Sequence, residues 1–192
     1  MEEPHYMKIE NEITILEINK KDFIEKIEKL GAKKESEEVL QVRYVYDFNP
    51  VLSNKWIRLR TNGKKSTLTI KELSSDSKMN AKEWEIEVSD FEETNAILNE
   101  LGYFHRNKQE NKRQIYTWKD VEISIDTWPL IPTYVELESD NIEQISELLK
   151  LLNISEDKVT TLDVTSIYEK IYNIDIMKIK NLVFEEKQIR HI

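Results

Sequence analysis

With 192 residues, 39% of them apolar, the chain is long enough to bury a core of its own. A formal charge of −9 argues against nonspecific binding to nucleic acid or anionic membrane, because both need a broad positive field. Zero Cys removes disulfides, thiolate zinc sites and cysteine nucleophiles, and His5, His105 and His191 are scattered without ligand spacing, so a metal would rest on oxygen. The first residues lack the pattern of a signal peptide and no run of about 18 apolar residues occurs, which reads as a cytoplasmic chain.

From Glu10 onward the sequence carries short segments in which charged or polar side chains take every second place. They are ENEIT (10–14), WIRLR (56–60), TLTIK (67–71), EWEIEV (83–88), VEISID (121–126) and YVELE (134–138). In a strand, alternate side chains point to opposite faces, so each segment gathers its charges on one face and its apolar residues on the other. A half-buried sheet with solvated charges shows the same alternation. The sorting by sign points elsewhere: Glu10/Glu12, Glu85/Glu87 and Glu136/Glu138 are acidic, while Arg58/Arg60 and Lys71 are basic. A lined tunnel with an acidic and a basic side would use that sorting.

Three amphipathic helices lie between these segments. The first runs about Asn19 to Leu30, with Phe23, Ile24 and Ile27 on one face and Gly31 as its stop. The second runs about Asp90 to Leu101 and the third about Asn141 to Leu152, with Asn19, Asp90 and Asp140 as caps. Segment 73–82 is polar and reads as a loop. An internal echo links the halves: each reads acidic strand, helix, Leu-Gly, then an Arg-containing strand, VRYVY or KRQIY. Either any two β-helix-β units look this alike, or the fold is a pseudo-twofold barrel around a central cavity. One domain over 1–175 and a tail over 176–192 are expected.

Glu10 and Glu12 would project the same way, about 7 Å apart along a strand. With Asp126, Glu136 and Glu138 they form an oxygen set suited to Mg²⁺ or Mn²⁺. Arg58, Arg60, Lys71 and Arg113 are the complementary cations: guanidinium forks match phosphate oxygens, and such charges inside a closed wall need a counter-charge or an anionic ligand. Lys112 has the opposite parity to Arg113. No P-loop, dinucleotide-binding glycine motif or nucleophile elbow occurs, so the chemistry must come from the strands.

These segments, in this order, resemble the CYTH superfamily, the triphosphate tunnel metalloenzymes that include class IV adenylyl cyclases and thiamine triphosphatases. The likeness covers about residues 8–175: ENEIT for an E-x-E-x-K opening, VRYVYDF, WIRLR, TLTIKE, EWEIEV, KRQIY, VEISIDTWPLIPTYVELE and a closing TTLDVTSIY. It implies an α+β fold, a closed antiparallel barrel of about eight strands with helices packed outside. It implies metal ligation by Glu10, Glu12, Glu136 and Glu138, with Glu85, Glu87 and Asp126 in support, and catalysis through Glu10, Glu12 and Asp126. Arg58, Arg60, Lys71 and Arg113 would contact the triphosphate, ATP or another, with Mg²⁺ or Mn²⁺ as cofactor. Thr14 stands where the opening motif carries lysine, so cyclase, triphosphatase and noncatalytic polyanion binder all stay open, as does a homodimer.

Overall fold

The computed structural model describes residues 7–73 and 80–184, apart from the side chains of 7–10 and 80–81. The main strands are β1 (Met7–Ile15), β3 (Val39–Leu52), β4 (Lys55–Thr61), β5 (Ser66–Leu73), β6 (Asn80–Val88), β7 (His105–Trp118), β8 (Val121–Thr127) and β9 (Tyr134–Ser139). Three two-residue strands complete the sheet, β2 (Lys33–Lys34), β10 (Val159–Thr160) and β11 (Asn181–Leu182). Every pairing is antiparallel except β11 with β7. Four α-helices occur among the described residues: α1 (Lys20–Lys29), α2 (Phe91–Glu100), α3 (Ile142–Leu152) and α4 (Val164–Lys170). None is long and apolar enough to cross a membrane. The expected loop at 73–82 shrinks at both ends: β5 includes Leu73, β6 begins at Asn80, and 74–79 lie outside the described residues.

The strand order is β10-β1-β6-β5-β4-β3-β7-β8-β9, with a further pairing between β1 and β9. The sheet therefore curls until both β6 and β9 meet β1. The sheet does not close into the barrel expected from the sequence. β1 ladders with β6 only through Met7–Asn11 and with β9 only through Asn11–Ile15, so beyond Asn11 neither half of β1 pairs with both of these neighbours. The wall is thus incomplete along β1, and the architecture is a curled, mostly antiparallel sheet with helices outside.

The alternation places the core outside the curl. Ile13, Ile15, Ile123, Ile125, Val135 and Leu137 pack outward against Phe23 and Ile27 of α1 and Ile145, Leu148 and Leu152 of α3. Asn19 caps α1 by accepting from the Asp22 amide at 3.1 Å, and Gly31 ends it at φ +88°, a conformation that costs a residue without Cβ little. The cap of α3 is Asn141, one residue later than expected: its side chain accepts from the Glu143 and Gln144 amides. On the opposite half Phe91 and Leu98 of α2, with Tyr103 after it, cover Tyr46, Ile57 and Leu59. A fourth helix not expected from the sequence, α4, is short and capped by Asp163, and its Ile167 and Tyr168 pack on Trp128 and Ile131. Of the expected tail, Ile176 and Leu182 are buried in that same cluster and 185–192 lie outside the described residues.

Candidate active site

The inner face of the curl encloses a cavity of about 710 Å³. Its basic side comes from β3, β4 and β5. Pairing register sets Arg43 beside Arg60, Val45 beside Arg58, and Trp56 beside Lys71, so these side chains share one face. Their outward neighbours Ile57 and Leu59 are 6% and 0% exposed, which fixes the arginines inward.

Arg58, Arg60 and Lys71 share the carboxylates of β6. Lys71 Nζ lies 2.8 Å from Glu83 and 3.7 Å from Glu12. Arg58 Nη2 is 3.5 Å from Glu83 and 3.6 Å from Glu85, and Arg60 Nη2 is 3.7 Å from Glu85. The Thr69 hydroxyl donates to Glu85 at 2.6 Å, which ties up part of that carboxylate. Burial opposes charge on both Lys71 and Glu83, yet their neighbours win. Glu12 and Glu83 raise the Lys71 pKa, and Arg58 and Lys71 lower that of Glu83. The arginines are less well served. Arg58, burial and Arg43 push Arg60 down to about 9, and burial with Arg58 and Arg113 pushes Arg43 down to about 10. This side holds more positive charge than its carboxylates balance.

The other side is acidic and differently arranged. Register aligns Glu12 of β1, Glu138 of β9 and Glu122 of β8 in one row, and Thr14, Glu136 and Ser124 in the next. Glu12, Glu122, Glu136 and Glu138 all line the cavity. Arg113 lies among them and is fully engaged: its Nε and Nη2 donate to the two oxygens of Asp126 at 3.0 and 2.6 Å, and Nη2 also donates to Glu136. Burial opposes the Arg113 charge, but Asp126 and Glu136 outweigh it and its pKa rises well above the ordinary value. Burial pushes Glu136 up to about 7, against Arg113 and with help from Glu12 and Asp126.

A CYTH domain model matches residues 8–162. The chain belongs to the CYTH domain family. A protein from Methanocaldococcus jannaschii named "Putative adenylate cyclase" is 28% identical over 165 residues, 79% of this chain and 93% of that one. A solved protein from Pyrococcus horikoshii OT3 superposes with a TM-score of 0.69 at 26% identity, covering 80% of this chain and 96% of its own. A Hippeastrum protein, titled "Putative adenylyl cyclase HpAC1 from Hippeastrum reveals a dominant triphophatase activity", superposes at 0.57 with 15% identity, over 86% and 96% of the two chains.

Within this CYTH domain the residues expected from sequence divide into groups. Glu12, Glu85, Glu136, Glu138, Arg58, Arg60, Lys71 and Arg113 line the cavity. Asp126 does not: it is 0% exposed behind Arg113 and accepts from Asn111 as well. Glu87 has the inward parity of Glu85 yet sits where the wall ends, 63% exposed and 2.8 Å from Lys65. Glu10 pairs through its backbone with Ala81, and its side chain lies outside the described residues. Among the described residues no three acidic or His side chains stand close enough to hold a metal unaided. Glu12, Glu136 and Glu138 are the carboxylates whose hard oxygens would serve a divalent cation drawn between them, and burial with carboxylate repulsion raises the pKa of Glu136, a penalty that a cation would relieve.

Three cavity residues went unnamed from the sequence although their parity was legible. Glu83 precedes Glu85 by two and bridges Lys71 and Arg58, Glu122 shares its strand face with Ser124 and Asp126, and Arg43 is the inward charged residue of VRYVY. Arg106 was not legible. An extra residue in β7 between the pairs Val45–Asn107 and Tyr46–His105 breaks the period, and Arg106 reaches the cavity and pairs with Asp47. His105, by contrast, stacks on Tyr44 with ring centroids 4.3 Å apart and does not line the cavity.

Proposed function

We propose that this CYTH domain binds an organic triphosphate in a tunnel-like cavity and, with Mg²⁺ or Mn²⁺, either cyclises ATP with release of pyrophosphate or hydrolyses the triphosphate. The observation that carries the reading is the under-compensated arginine wall, where Arg60 is destabilised as a cation by Arg58, burial and Arg43. A polyanion would reverse that penalty. Arg58 and Arg60 would hold phosphate oxygens in their planar forks, with Lys71 as a point charge. Glu12, Glu136 and Glu138 would hold the metal, with Glu10 as the sequence motif implies, and a bound metal supplies neutralisation of phosphate charge. Arg113 serves this arrangement by fixing Glu136 and Asp126. The relatives' names support the same choice between cyclase and triphosphatase.

A noncatalytic polyanion binder is the second reading, and Thr14 favours it. Thr14 lies inward beside Glu136, 2% exposed, and brings a hydroxyl where the motif brings a cation. Phosphorus NMR with Mg²⁺ and ATP, inorganic triphosphate or thiamine triphosphate separates the readings, with Glu10→Gln/Glu12→Gln as control. Cyclic nucleotide with pyrophosphate identifies a cyclase, and orthophosphate with a diphosphate identifies a triphosphatase. Intact substrates whose signals shift with the wild type identify a binder, and a large gain of turnover in Thr14→Lys would then name the cause. Absence of both turnover and shifts overturns the proposal.

A further inference from the structure

Arg43 lies midway along β3, 6% exposed, between Arg60 of β4 and Gln109 of β7 in register. Its partners are neutral: Nη2 donates to Gln41 Oε1 at 3.3 Å and to Asn111 Oδ1. Among the described residues the buried Nε has no partner, and the guanidinium carbon sits 4.6 Å from the centroid of the Trp128 ring. Among the described residues Arg43 has no ion pair. Its charged neighbours Arg58 and Arg113 repel it, and Asp126, the carboxylate that attracts it, is already held by Arg113 and Asn111.

A buried guanidinium in such surroundings is costly, and for packing alone an uncharged side chain of similar volume would serve as well or better. The cost has a use only if an anion enters, and Arg43 borders the cavity through which one would come. Its place in the curl fits this use. In the strand order β3 stands four strands from β1 in either direction, and the described inward residues of β1, Glu12 and Thr14, bring no cation.

We infer that Arg43 is a substrate-binding residue, completing with Arg58 and Arg60 a three-arginine cradle for the triphosphate. Trp128 and Asn111 are positioning residues that hold the guanidinium plane at the cavity wall. The inference rests on the triphosphate reading of the cavity and adds to it a residue from outside the WIRLR and TLTIK motifs.

The test is calorimetric titration of inorganic triphosphate, with and without Mg²⁺, into wild type, Arg43→Gln, Arg43→Met, Arg43→Lys and Arg58→Gln, alongside the melting temperature of each free protein. Loss of a charge-assisted contact predicts binding about 10- to 100-fold weaker in Arg43→Gln and Arg43→Met, with partial recovery in Arg43→Lys. The free neutral variants should melt no lower than wild type, because a buried unpaired charge has been removed. Arg43→Met preserves the test if Arg43→Gln fails to fold. Unchanged affinity in either neutral variant, with a lowered melting temperature, would make Arg43 purely structural and overturn the inference while Arg58→Gln still weakens binding. A wild type that binds no triphosphate would remove the functional reading and this inference together.

Discussion

Two sets of arginines face one cavity and are treated in opposite ways. Arg113 is enclosed by Asp126 and Glu136, donates to both and is stabilised as a cation. Among the described carboxylates Arg58 reaches Glu83 and Glu85 and Arg60 reaches Glu85, all at 3.5–3.7 Å; Lys71 competes for Glu83, and the two arginines repel each other. Residue type is the same on both sides, and the supply of carboxylate is what differs. A satisfied arginine maintains a wall, whereas an under-satisfied one is ready for an anion. Of the four cations expected to touch the ligand, all of which line the cavity, Arg113 is the one held by both oxygens of a buried carboxylate.

Removing each arginine in turn should break the comparison cleanly. Arg113→Ala leaves Asp126 buried and without its ionic partner, which costs about 3–5 kcal/mol by analogy with other severed buried pairs. Denaturant titration should show that loss, and a change under about 1 kcal/mol would mean that the pair carries little of the wall. Arg58→Gln should do the reverse, with stability nearly unchanged and inorganic triphosphate bound about 10- to 100-fold more weakly. If Arg58→Gln unfolds the protein and Arg113→Ala only weakens binding, the assignment of the two sides is inverted.

Alternation made the faces legible but not the heights. In WIRLR it places Ile57 and Leu59 against α2 and the arginines inward, as the structure has them. The same rule gives Glu87 the parity of Glu85, yet parity cannot tell that β6 has passed the end of the wall by residue 87. Asp126 shows a second limit, since an inward residue need not be accessible: Arg113 lies between it and the cavity. Arg43 shares its strand with two tyrosines facing the α2 side, so its inward parity was readable, but only tertiary structure shows that it lacks an ionic partner. A bulge is harder still, because one inserted residue resets the period and brings Arg106 round.

Glu136 sharpens the comparison by titration. Its folded-state pKa of about 7 lies above the ordinary 4.5, because burial and the carboxylates of Glu12 and Asp126 outweigh Arg113. The folded state holds this proton more tightly than the unfolded chain. The resulting stabilisation is complete below about pH 4.5 and is lost as pH rises through 7. Wild type should lose up to about 1.4 kcal/mol per pH unit in that window relative to Glu136→Gln, which has no proton to lose. A stability difference that stays flat with pH would show that Glu136 is already ionised and that the acidic side tolerates its own charge.

The smallest effect belongs to Glu87, and it tests whether the charge sorting matters beyond the cavity. Its carboxylate meets Lys65 at 2.8 Å, but both side chains are mostly exposed, so water and salt already satisfy each charge. Glu87→Gln should leave the melting temperature and triphosphate affinity unchanged, whereas Glu85→Gln, at equal cost in formal charge, removes a partner shared by Arg58 and Arg60. With one carboxylate fewer, the arginine wall is more positive, and triphosphate should bind more tightly to Glu85→Gln than to Glu87→Gln. Equal affinities would mean that net charge rather than the local shortage of carboxylate governs the cavity, and the distinction between the two sides would lose its force.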